Sequence, residues 1–62
     1  MNCEGHVTKY HSPKRYIVEL SAPNVDSPVY RTKSYPRKAD ATDEANDAAY
    51  ALDWVIDRFV GQ

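Results

Sequence analysis

The sequence predicts an α+β domain: a three-stranded antiparallel β-meander with one C-terminal amphipathic helix packed on one face. Three observations carry this expectation. Residues 43–60 place Ala45, Ala48, Ala49, Leu52, Val55, Ile56, Phe59 and Val60 at the three-and-four spacing of one helical face. Residues 14–21 alternate Tyr16, Val18 and Leu20 with Arg15, Ile17 and Glu19, the period of a half-buried strand. Between them, Ala22 to Pro28 gathers prolines, Asn24, Asp26 and Ser27 into a loop.

The elements follow in chain order within one small domain, 1–62. Residues 1–5 are expected to be flexible. The stretch 6–11, His-Val-Thr-Lys-Tyr-His, reads as a first strand, and Ser12-Pro13 as the turn that follows. The second strand, 14–21, directs Tyr16, Val18 and Leu20 toward the helix and Ile17 outward. A third strand covers 29–35, with Val29, Arg31, Lys33 and Tyr35 on one face and Tyr30, Thr32 and Ser34 on the other. Pro36 ends it. Thr42 is the expected helix cap, Asp43 and Glu44 suit the positive end of the dipole, and Gly61 is the expected stop. Eighteen helical residues would span roughly 27 Å.

Charge is divided along the chain. Residues 1–38 hold seven Lys/Arg against three Asp/Glu, whereas residues 39–62 hold six acids against one Arg. The result is a basic sheet half and an acidic helix half within a net charge of −1. The single cysteine, Cys3, excludes an internal disulfide, and no apolar run is long enough to span a bilayer. A reducing, cytoplasmic location with no membrane contact is expected.

Two surfaces stand out as candidate binding sites. On a helix covering 43–60, Trp54 would lie opposite Ala45, with Tyr50 and Arg58 one turn away and Asp47 and Asp57 close by. An outward Trp–Tyr pair beside Arg58 is the composition of a protein-interface hot spot, so Trp54, Tyr50, Asp47, Asp57 and Arg58 are the expected protein-binding residues. The second surface groups Lys14, Arg15, Arg31, Lys33, Arg37 and Lys38 with Tyr35 and Tyr10. Cations that hold phosphates beside rings that stack on bases describe a nucleic-acid contact.

Chemistry is less well provided for. Cys3, His6 and His11 offer an incomplete zinc ligand set with no second Cys/His cluster. No nucleophile with a fixed base is evident, so neither an enzyme nor a cofactor is expected.

Two resemblances add to this reading. The run Glu44-Ala45-Asn46-Asp47-Ala48-Ala49-Tyr50-Ala51-Leu52 resembles the final helix of double-stranded RNA-binding domains, which packs on a three-stranded sheet. That family carries a lysine cluster at the helix start, where this chain has Thr42, Asp43, Glu44 and Asn46, and its first helix has no counterpart here. The strand-strand-helix order, the size and the Thr-Asp-Glu-Ala helix entry also resemble small phage-encoded inhibitors such as the T7-type inhibitor of RNA polymerase. HicB-type antitoxin domains share a similar outline. The resemblance implies a non-enzymatic protein-binding module, an inhibitor that occupies a functional surface of host machinery in the host cytoplasm. The alternatives are a nucleic-acid binder using the basic outer sheet face, and an antitoxin-like or homodimeric assembly subunit.

Overall fold

The computed structural model describes residues 1–11 and 13–61. Its elements are β1 (Asn2–Tyr10), β2 (Arg15–Ser21), β3 (Tyr30–Arg31), α1 (Lys38–Ala51) and β4 (Val55–Gly61). The strands form one mixed sheet in the order β3-β2-β1-β4, and α1 packs on one face of it. The class is α+β with one helix, as the sequence predicts. The meander is not: the helix lies mid-chain, and a fourth strand follows it.

β1 is the central strand. It pairs antiparallel with β2, from Glu4↔Ser21 to Tyr10↔Arg15, and parallel with β4, from Asn2↔Val55 to Val7↔Gly61. Residues 2–5, expected to be loose, are therefore held in the sheet, Asn2 and Cys3 by β4 alone and Glu4 and Gly5 by both neighbours. Cys3 and Gly5 are buried, and Cys3, Val7, Val18 and Leu20 form the sheet half of the core. The helix half is small: Ala41, Ala45 and Ala49, one turn apart, have no side chain long enough to keep the helix off the sheet. Tyr16, Val29, Tyr30, Tyr35, Trp54, Ile56 and Phe59 close the margins.

The helix starts earlier and ends earlier than 43–60. Arg37 occupies the cap position with no side-chain cap hydrogen bond. Thr42 lies inside the helix, where its hydroxyl donates back to the carbonyls of Ala39 (2.9 Å) and Lys38 (3.2 Å). The C-terminus is a Schellman turn: Asp53 N–H donates to Tyr50 O and Trp54 N–H to Ala49 O. Asp53 takes the left-handed conformation, φ 60°, that glycine usually supplies.

Beyond that turn the chain is β-branched and aromatic, and it pairs with β1. A bulge at Asp57 shifts the register between Cys3↔Ile56 and Glu4↔Arg58. The extra residue lets Ile56 and Phe59, three apart, face the helix together. Gly61, expected as the helix stop, is the end of β4 with φ 94°; a side chain there would meet the Val7 carbonyl.

The third strand is much shorter than 29–35. It pairs at Glu19↔Arg31 and Leu20↔Tyr30, then departs from regular geometry. Thr32 bridges the departure. Its N–H donates to Val18 O (2.9 Å), and its buried hydroxyl accepts from Val18 N–H (3.0 Å). Contact resumes at a single Tyr16↔Tyr35 bridge. No helix is long and apolar enough to cross a membrane among the described residues. The Ser12 half of the expected Ser12-Pro13 turn lies outside the described residues.

Candidate functional site

The helix places its acids away from the sheet. Asp40, Asp43, Asp47 and Tyr50 fall on one stripe at about 100° per residue, opposite Ala41, Ala45 and Ala49. All four are exposed, and Tyr50 is 88% accessible. The stripe runs into the Schellman turn, where Leu52 (44%) and Val55 (58%) are also open to solvent. Met1 joins them, because Val55 N–H donates to its carbonyl at 2.8 Å. One end of the molecule thus carries Met1, Tyr50, Leu52 and Val55, with Asp47 and Asp53 beside them and Asp57 two residues into β4. Apolar side chains framed by charge are the anatomy of a protein contact.

The expected interface residues are only partly brought together. Tyr50 and Asp47 share the outer helix face. Trp54 does not: the helix ends at Ala51, so the Tyr50–Trp54 helical pairing does not exist. Trp54 is half-buried and packs against the core as the hydrophobic residue that follows a Schellman turn. Arg58 is not in a helical turn either. It lies on β4, and its Nε donates to Glu4 Oε2 at 2.9 Å. Asp57 is exposed at the bulge and borders a cleft of about 290 Å³ with Cys3, Glu4, Ser21, Ala22 and Pro23. Sequence reasoning missed Met1, Leu52 and Val55. Helical periodicity places the last two in the buried stripe, because they continue the period past the true helix end.

The basic set is also divided. Arg31 is held by Glu19 at 2.8 Å, and Arg15 donates to Ser34 Oγ (3.1 Å) and Ser34 O (3.0 Å). Tyr35 is turned inward. Its hydroxyl donates to Glu44 Oε1 at 2.7 Å, while Tyr30 donates to Oε2 at 2.6 Å and Lys33 N–H to Oε1 at 3.1 Å. Lys33, Arg37 and Lys38 are exposed. The outer sheet face is therefore no uninterrupted basic surface: Arg31 and Arg58 both sit against carboxylates.

Glu44 is the polar hub that the sequence did not announce. It ties the irregular 30–35 segment to the helix. Partial burial pushes its carboxyl upward, but the hydrogen bonds from Tyr30, Tyr35 and Lys33 N–H outweigh that and leave it below the usual carboxylate range. The same bonds push the Tyr30 and Tyr35 hydroxyls above their ordinary value, with burial and the Glu44 charge adding to the effect.

Cys3 and His6 point to opposite faces of β1, so they do not share a ligand. Among the described residues no three His, Cys, Asp or Glu side chains converge on a metal position. Burial and then the Asp57 charge push the Cys3 thiol up, against the N-terminal charge; an activated thiolate needs the opposite direction. No protein-family model, curated protein or solved structure matches the chain.

Proposed function

We propose that the chain is a non-enzymatic protein-binding module. Its acidic, apolar-tipped end occupies a basic functional surface of a partner, as a small inhibitor would. The observation that carries this reading is Tyr50. A large aromatic side chain is almost wholly exposed at the end of the Asp40–Asp43–Asp47 stripe and next to Leu52 and Val55. Tyrosine is enriched among hot-spot residues, and the surrounding aspartates favour encounter with a cationic partner.

The test is affinity capture from nuclease-treated bacterial lysate, comparing the wild-type chain with Tyr50→Ala and Asp43→Asn/Asp47→Asn. A stoichiometric protein retained by the wild type, lost with Tyr50→Ala and released faster in salt from the double variant supports the reading. Against a purified partner, Tyr50→Ala should cost about 2 kcal/mol, roughly 30-fold in Kd, with stability changed by no more than about 0.5 kcal/mol. Equal capture by wild type and Tyr50→Ala removes this end as the working surface.

A further inference from the structure

The acidic end has an electrical opposite. β1 runs toward the β1–β2 turn, β2 runs away from it, and the 30–35 segment returns to it at the Tyr16↔Tyr35 bridge. Helix α1 starts there as well, so its axis runs from this end toward the Schellman turn. The topology therefore collects Lys9, Lys14, Arg15, Arg37 and Lys38, from separate stretches of sequence, at the turn end of the sheet. None of them is engaged by a carboxylate among the described residues. Asp40, in the first helical turn, is the nearest acid in sequence, and Glu44 one turn on is occupied by the two tyrosines and the Lys33 N–H.

This end also has an aromatic side chain in the open. Tyr10 is 48% accessible and is the cross-strand partner of Arg15, whose guanidinium is oriented by Ser34. A ring beside a fixed guanidinium suits an unstacked base and its neighbouring phosphate. The molecule extends 34 Å along its longest axis, several times the Debye length of about 8 Å at physiological salt. The aspartates at the Schellman-turn end are therefore largely screened from the basic end, whereas Asp40 and Asp43, in the first turns of α1, offset part of its charge.

We infer that the turn end of the sheet is a second binding site that takes single-stranded nucleic acid, with Lys14, Arg15, Arg37 and Lys38 on phosphates and Tyr10 stacked on a base. Tyr10 and Arg15 belong to the outer sheet face but lie at its turn end, away from Arg31 and Arg58, which are neutralised by Glu19 and Glu4. It is independent of the end that carries Tyr50.

The experiment is fluorescence anisotropy of a labelled dodecathymidylate titrated with the full chain at 50 and 200 mM KCl. About four phosphate contacts on a single strand predict a loss of roughly 50-fold in affinity over that range. Lys14→Ala/Arg37→Ala should flatten the log–log salt slope by about 1.4, and Tyr10→Ala should cost about fivefold or more in affinity. Arg31→Ala/Arg58→Ala and Tyr50→Ala should leave oligonucleotide binding unchanged. Lys38→Gln, an exposed and conservative change, repeats the slope test if circular dichroism shows the double variant unfolded. No binding at 50 mM overturns the inference. So does an equal loss in the Arg31/Arg58 variant, equal affinity for duplex DNA, or full competition by vesicles containing phosphatidylglycerol.

Discussion

Replacing Gly5 by alanine tests the least expected part of the fold, the pairing of β4 with β1. A Cβ at Gly5 would stand 2.5 Å from Cδ1 and 2.7 Å from Cε1 of Phe59. Carbon–carbon contact is comfortable only near 3.5–4.0 Å, so the ring must retreat by about 1 Å. Phe59 is packed against the core, so it cannot retreat without disturbing its neighbours. Overpacking of this kind costs about 1–3 kcal/mol. That loss must also exceed the stabilisation of about 0.4–1 kcal/mol that Gly→Ala gives when the site has room. For a domain this small each kcal/mol lowers Tm by about 4–8 °C. Urea denaturation of wild type, Gly5→Ala, Phe59→Leu and the double variant forms a cycle. Gly5→Ala should cost about 1–3 kcal/mol alone and less than about 0.5 kcal/mol when Phe59 is leucine. If the two changes add within about 0.5 kcal/mol, Gly5 and Phe59 are not in contact and the parallel β1–β4 pairing is wrong.

Two further outcomes can be checked on the same footing. Asp53→Gly should stabilise the chain by about 0.5–1 kcal/mol, because glycine takes the left-handed turn without a Cβ penalty; Asp53→Val should destabilise it, and thermal melts order the three proteins. Glu44 has a folded pKa below its unfolded value, so its contribution is present above the unfolded pKa and is lost as pH falls through the folded one. Wild-type stability should therefore fall through the acid range below about pH 4.5, and Glu44→Gln should start lower and flatten that dependence in urea titrations at stepped pH. An unchanged slope in Glu44→Gln would mean that another carboxylate controls acid unfolding.

The relation between sequence and fold is instructive at Ile56 and Phe59. Strand residues that share a face are normally an even number apart, and these are three apart, which reads as a helix. The Asp57 bulge produces that spacing, and local periodicity contains nothing that distinguishes a bulge from a helical turn. The helix end was hidden for a related reason. A Schellman turn usually advertises itself with glycine, and here aspartate holds the position. By contrast, Tyr16, Val18 and Leu20 alternate without interruption and face the helix as expected. At the candidate site, Tyr50 and Asp47 were legible from helical spacing alone. Trp54, Leu52 and Val55 were not, because their exposure depends on where the helix stops. Glu44 was hidden among the helix acids, since its partners Tyr30 and Tyr35 reach it only once the irregular segment has docked.

The placement of β1 between β2 and β4 also has a kinetic side. The Glu4–Arg58 contact joins residues 54 apart in sequence, so the β1–β4 pairing closes a loop that spans most of the chain. During synthesis β1 and β2 leave the ribosome before β4, so their hairpin can form before β4 is available. The other edge of β1, with backbone groups unpaired, waits until β4 emerges. Ribosome-bound chains stalled before Val55 would therefore expose a strand edge that the finished molecule covers, and distant pairings of this kind slow folding. Until β4 docks, that edge is open to pairing with another chain.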